Sequence, residues 1–276
     1  MKKTAVIGLG IIGGSICKAL AGAGYFVAGR DIDKSTLSCA LKEGVVREEA
    51  QELSRYDTVF LAVPPRAALA LLEEGDFKED ALVADICGVK AEMEKAVYSR
   101  PRKYRYVGLH PMAGKETNGL SSSSADLFVG ANLVVVLSRN TKESALKEVL
   151  EYAKAMGFGR ITQCSAQEHD RKIALTSQLA HLVSNAYVKS PEVKDCEGFT
   201  GGSFQDMTRV ARLNENMWTE LFLDNGDNLA NEIDSLIARM QAYSTAIKAK
   251  DADTLCELLR EGREKCIAID EIKDFD

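Results

Sequence analysis

The sequence predicts an α/β domain built on a parallel sheet, followed by an all-helical second domain. Short, nearly continuous apolar runs alternate with helix-like segments through residues 4–162. A glycine-rich turn joins the first run to the first helix. Beyond about residue 165 the apolar runs give way to long helical periodicity. Strands apolar along their whole length suit a sheet covered on both faces, and their alternation with helices makes that sheet parallel.

In order, 4–7 reads as a buried strand, 13–23 as a helix and 26–28 as a second strand. Residues 37–43 are helical, 58–63 form a strand closed by Pro64-Pro65, and 67–74 are helical again. Strand 82–84, helix 89–98, strands 106–109 and 133–137, helix 142–156 and strand 160–162 complete this part. Four serines at 121–124 suggest a mobile loop. The second part reads as helices over 166–189, 203–213, 215–246 and 251–266, with Ser203 as an N-cap. The boundary falls near 164, giving a dinucleotide-binding domain over 1–164 and a helical domain over 165–276.

Composition narrows the class. With 46% hydrophobic residues, 276 residues can bury a large core. A net charge of -6 argues against nucleic acid as a partner, whereas an anionic small molecule would need local cations. The seven cysteines form no C-x-x-C and no zinc-like cluster. They read as reduced thiols in a cytoplasmic protein, and no metal site is expected. Lys2-Lys3 and the apolar stretch after them have the outline of a signal peptide. Gly8, Gly10, Gly13 and Gly14 suit a helical signal core poorly. No segment is long and apolar enough to read as a membrane span.

Gly8-Leu9-Gly10-Ile11-Ile12-Gly13 is G-x-G-x-x-G between a strand and a helix. The first glycine permits a tight turn, the second close approach to a pyrophosphate, and the third helix–sheet packing. The helix N-terminus adds free N–H groups for the phosphates. Asp31, eighteen residues past Gly13, ends the second strand where a carboxylate holds the ribose of NAD. Arg30 beside it keeps NADP as the alternative. Val63 and Pro64 end another strand at the same edge and are candidate cofactor contacts.

Three histidines occur in the chain. His110 lies just past strand 106–109, where it can take a proton from a substrate hydroxyl as hydride leaves the same carbon. Ser177, His181 and Asn185 fall at i, i+4, i+8, with Gln178 three before His181, as a polar stripe for a substrate cavity. Arg209 and Arg212 share a helix face and can clamp a carboxylate. His169, with Asp170, reads as a structural contact at a helix start.

Together these segments resemble the prephenate/arogenate dehydrogenase family of tyrosine biosynthesis. The resemblance is carried by Gly8 to Ser15, Val83-Ala-Asp-Ile-Cys-Gly-Val-Lys90, His110-Pro-Met-Ala-Gly114 with Glu116, Glu168-His-Asp170, Ser177-Gln-Leu-Ala-His181, and Gly201 through Trp218. It implies an N-terminal Rossmann domain and an all-α C-terminal domain that makes a homodimer. It implies NAD-dependent oxidative decarboxylation of prephenate to 4-hydroxyphenylpyruvate, with arogenate as the alternative substrate. On this reading His110 is catalytic, Arg209 binds a substrate carboxylate, and His181, Gln178 and Ser177 line the pocket. Two departures concern substrate choice. Cys87-Gly88 stands where relatives often carry serine, and Gln178 where many carry histidine. Lys115 is an additional candidate cation. The length leaves no room for a regulatory domain after the helices or a mutase segment before Met1, so feedback by tyrosine, if present, would have to act at the active site. Two further alternatives remain: a hydroxyacid dehydrogenase using Lys172 or Lys189, and a non-catalytic dinucleotide sensor.

Overall fold

The computed structural model describes residues 2–114 and 117–273. The chain forms two compact units, Met1–Gly226 and Asp227–Asp276. Residue 164, where the sequence pattern changes, lies within the larger unit.

Seven strands make one sheet: β1 (Lys3–Ile7), β2 (Phe26–Arg30), β3 (Thr58–Leu61), β4 (Leu82–Asp85), β5 (Arg105–Pro111), β6 (Asn132–Val136) and β7 (Arg160–Cys164). Their spatial order is β2-β1-β3-β4-β5-β6-β7. β1 to β5 run parallel, as the sequence suggests. β6 is the exception and pairs antiparallel with β5. A parallel return needs a helical crossover. Among the described residues between β5 and β6 the only helical element is a short 3-10 turn, Leu120–Ser122, and the chain comes back antiparallel.

Helices α1 (Ile11–Gly22) and α5 (Glu143–Met156) cover one face, and α3 (Pro65–Glu74) and α4 (Ala91–Tyr98) the other. α2 (Lys34–Lys42) follows β2. Successive strand residues enter opposite cores: Val6, Phe60 and Leu109 join the α1/α5 side, while Ile7, Leu61 and Tyr106 join the α3/α4 side. Leu20 and Leu72, both fully buried, represent these two cores, at about 1.5–3 kcal/mol per side chain.

The serine run is fixed rather than mobile. Ser124 N–H donates to Ser15 Oγ at 3.0 Å, and Lys18 Nζ donates to the Ser123 carbonyl at 2.9 Å. Both partners lie on α1.

The helical part of the larger unit comprises α6 (Ala166–Ile173), a π-helical turn Ala174–Leu179, α7 (Ala180–Tyr187), α8 (Gly202–Thr208) and α9 (Glu215–Asp224). Gly201, not Ser203, occupies the N-cap of α8. The helix expected over 215–246 is interrupted at Asn225, whose buried side chain donates to the Asp170 carbonyl at 2.8 Å and to Gln178 Oε1 at 2.7 Å. In the smaller unit, α10 (Gly226–Ala249) and α11 (Ala252–Lys273) are joined by Lys250-Asp251. Asp251 caps α11 by accepting the Thr254 N–H at 3.0 Å, and Tyr243 OH donates to the Leu258 carbonyl at 3.1 Å. Among the described residues no helix is long and apolar enough to cross a membrane.

Candidate active site

β1 lies between β2 and β3, so the direction of chain progression reverses beside it. Ligands of open α/β sheets bind outside the carboxyl ends of the strands at such a point. The glycine turn lies there. Gly8 has φ +91°, and a Cβ on it would sit 2.2 Å from the Ala62 carbonyl oxygen. A Cβ on Gly13 would sit 1.8 Å from the Gly8 oxygen. These two glycines let strand and helix meet. Gly10, the N-cap of α1, is different: a Cβ there would meet nothing within 4 Å. The space above the helix N-terminus is open, and no acidic residue occupies its first turn. That is a fit for a pyrophosphate.

Asp31 Oδ2 accepts the Leu9 N–H at 2.7 Å, and Oδ1 accepts the Asp33 N–H at 2.9 Å. Asp33, not Asp31, caps α2. Asp31 therefore braces the glycine turn while remaining at the end of β2. Leu9 needs correction as a cofactor contact, because its side chain is fully buried in the core and its N–H is engaged by Asp31. Ile11 and Ile12 are half-buried at the start of α1, and Arg30 is exposed at the end of β2. Val63 and exposed Pro64 follow β3, which ends at Leu61.

His110 lies inside β5 rather than past its end. Gly108 pairs with Asp85, the last residue of β4, and His110 pairs with Val134 of β6. β5 thus outruns β4, and the antiparallel partner β6 extends it. His110 Nδ1 lies 2.8 Å from His169 Nε2, and His169 Nδ1 lies 2.7 Å from Asp170 Oδ1. Asp170 also accepts Lys90 N–H on Oδ1 and Ala91 N–H on Oδ2, both at 2.8 Å. It thereby caps α4 from another element. Burial above all, with charge on His169 and Lys90 adding to it, holds the His110 imidazole well below the ordinary 6.5. Burial also lowers His169, opposed by its bond to Asp170.

Below this pair lies a sealed cluster. Lys90 and Asp85 are both 0% exposed and form an ion pair. Tyr106 OH donates to Asp85 Oδ2 at 2.6 Å, and Cys87 N–H donates to Oδ1 at 3.0 Å. A buried pair of this kind is stable only with its remaining hydrogen bonds satisfied. Burial and Asp85 push both the Tyr106 hydroxyl and the Cys87 thiol well above their ordinary values. Neither is a ready nucleophile or acid.

A cleft of about 400 Å³ is lined by Gly114, Asn118, His181, Arg209, Arg212 and Trp218, among others. The helix expected over 203–213 ends at Thr208; Arg209 opens a 3-10 turn that Arg212 follows, and both line this cleft. His181 Nδ1 bonds the Ser177 carbonyl at 2.9 Å, and the ring stacks on Trp218 with centroids 4.1 Å apart. Ser177 is half-buried. Gln178 does not belong to the cleft. It is 1% exposed, donates to the Leu221 carbonyl at 2.9 Å and accepts from Asn225. The π-turn causes this, because a wider turn breaks the i, i+3, i+4 register on which the polar stripe rested. Lys115 and Glu116 lie outside the described residues. Among the described residues no three His, Cys, Asp or Glu side chains are grouped to hold a metal ion.

The reading from sequence missed His169 and Asp170 as part of the site. A signal was present: Ala166, His169, Asp170 and Ile173 stand at i, i+3, i+4, i+7, and this face is buried. A histidine and a carboxylate on a buried face need partners.

The model of the prephenate dehydrogenase nucleotide-binding domain matches residues 16–162, and that of the prephenate dehydrogenase dimerization domain matches residues 165–261. A cyclohexadienyl dehydrogenase of Zymomonas mobilis is 30% identical, over 97% of this chain and 96% of its own length. Among solved structures, prephenate dehydrogenase from A. aeolicus in complex with hydroxyphenyl propionate and NAD+ superposes with TM-score 0.85 at 28% identity, over 98% of each chain. Synechocystis arogenate dehydrogenase gives 0.80 at 26% identity, over 97% of this chain and 99% of its own.

Proposed function

This chain belongs to the prephenate dehydrogenase family, and on that footing we propose that it is an NAD-dependent prephenate dehydrogenase. The carrying observation is that His110 Nδ1 is tied to His169 while the ring stands at the carboxyl edge of the sheet. Its other nitrogen, Nε2, is then the base. NAD, when bound, supplies the hydride acceptor. His110 takes the substrate hydroxyl proton as hydride leaves the same carbon, and carbon dioxide loss aromatises the ring. The proton returns to the phenolate oxygen, so no net proton leaves the site. Gly8, Gly10 and Gly13 shape the pyrophosphate seat, with the N–H groups of Ile11 and Ile12 above it. Asp31 holds the ribose, Arg30 flanks it, and Val63 and Pro64 border the nicotinamide side. Arg209, with Arg212, grips a substrate carboxylate, and His181 on Trp218 forms the wall.

Residues 1–164 hold the cofactor in this scheme, and 165–276 close the substrate side and pair with a second copy. The setting is cytoplasmic. Prephenate is the main reading and arogenate the alternative: both carry two carboxylates for the Arg209 and Arg212 that line the cleft, and they differ in a keto group against an ammonium. Four rates test this reading, prephenate and arogenate each with NAD and NADP. The prephenate–NAD rate is expected to dominate. His110→Ala is expected to lose about 10²–10⁴-fold in kcat. Undiminished turnover in that variant rejects the assigned base.

A further inference from the structure

We infer that His169, held by Asp170, is a positioning residue that locks the His110 ring in its Nδ1–H tautomer and so selects Nε2 as the only basic nitrogen. The role rests on the proposed function, although the tautomer itself does not.

The argument follows the hydrogens. Lys90 N–H and Ala91 N–H already mark both Asp170 oxygens as acceptors. His169 Nδ1, 2.7 Å from Oδ1, must then be the donor. A neutral imidazole with its proton on Nδ1 has only a lone pair on Nε2. His110 Nδ1, 2.8 Å from that lone pair, must donate. The proton of neutral His110 is thereby fixed on Nδ1, and Nε2 is left to accept. Burial lowers both rings, which keeps them neutral near pH 7. A free imidazole favours the opposite, Nε2–H tautomer, which would block proton acceptance at that atom.

The chain ends in a closed seam. Asp170 is 2% exposed, and its carboxylate is occupied by the start of α4. Both of its oxygens are engaged, and a reaction that returns its proton to the product needs no export through them. The array therefore sets a tautomer rather than conducting protons. Asp170 also ties this setting to the junction of α4 and α6.

Only three histidines occur, so nitrogen-15 histidine labelling of the full-length protein yields three ring systems. Loss of one system in each of His169→Gln and His181→Asn assigns all three. The wild type is expected to show His110 protonated on Nδ1 and bare on Nε2. His169→Ala is expected to return His110 toward Nε2–H and lower kcat on the order of 10²-fold, with KM for prephenate within about threefold. In His169→Gln the side-chain oxygen can replace the Nε2 acceptor, so Nδ1–H and roughly tenfold of the lost kcat should return. An Nε2–H signal for His110 in the wild type overturns the inference. So does a His169→Ala protein whose His110 tautomer is unchanged. If neither prephenate nor arogenate turns over but His110 reads Nδ1–H, the proposed substrate fails and the tautomer lock stands.

Discussion

At the scale of residues, the site depends on where single hydrogens sit. Because burial holds His110 well below 6.5, the base stays neutral as the pH falls through the range where an ordinary histidine charges. A profile of kcat/KM for prephenate against pH is therefore expected to remain level from pH 8 to below 6.5. An acid limb centred at 6.5 or above would contradict the buried base. Asp31 offers a second test. Its Oδ2 bond to the Leu9 N–H braces the glycine turn, so Asp31→Ala should raise KM for NAD by about tenfold or more, consistent with ~1.5–3 kcal/mol for a charged hydrogen bond. The change in kcat should be smaller. The placement of His110 and Asp31 at the sheet edge was legible because His110 directly follows the apolar run 106–109, near the end of β5, and Asp31 directly follows β2. His169 was not, because its partners stand 59 residues away in sequence and one position along its own helix.

Elements explain why these residues meet. Gly8 and Gly10 belong to one motif yet do different work, and substitution separates them. Gly8→Ala forces a Cβ against the Ala62 carbonyl at a left-handed φ, so its Tm should fall by several degrees in a thermal melt. Gly10→Ala meets no protein atom, so its Tm should hold while NAD binding weakens severalfold in titration calorimetry. Equal melting losses in the two variants would show that Gly10 is structural as well. Strand and helix periods exposed β1 to β5 and their helices in the sequence. The antiparallel turn-back of β6 was hidden, since an apolar run carries no direction. The break at Asn225 was hidden too, because the asparagine is recruited by Asp170 and Gln178 from a distant helix.

For the whole molecule, buried neutral histidines make stability depend on pH. His110 and His169 both have folded values below the ordinary 6.5, so the unfolded chain binds protons first. Their contribution is complete above pH 6.5 and is lost as the pH falls from 6.5 toward the folded values. The slope is at most ~1.4 kcal/mol per pH unit per histidine. Urea unfolding at pH 7.5, 6.5 and 5.5 should show the loss, and a His110→Asn/His169→Asn double variant should flatten it. The smaller unit carries the oligomer prediction. Ile237 and Met240 of α10 are each 60% exposed, as apolar side chains awaiting a partner would be. Replacing both by glutamate is expected to halve the mass seen by light scattering, and an unchanged mass would place the pairing surface elsewhere.

The π-turn at Ala174–Leu179 carries information of a different kind from that of any side chain. Relative to an α-helix, a π-turn accommodates surplus chain within the same run, so the message lies in a residue count. No point substitution rewrites it. Because the wider turn absorbs the surplus residue, deleting one there would heal the segment to an α-helix and leave His181 close to its present place on the face of Trp218, whereas deleting one from regular α6 would turn everything after it by about 100°. For this run of helix, the residue count and the place where a surplus is absorbed together determine which groups the substrate meets.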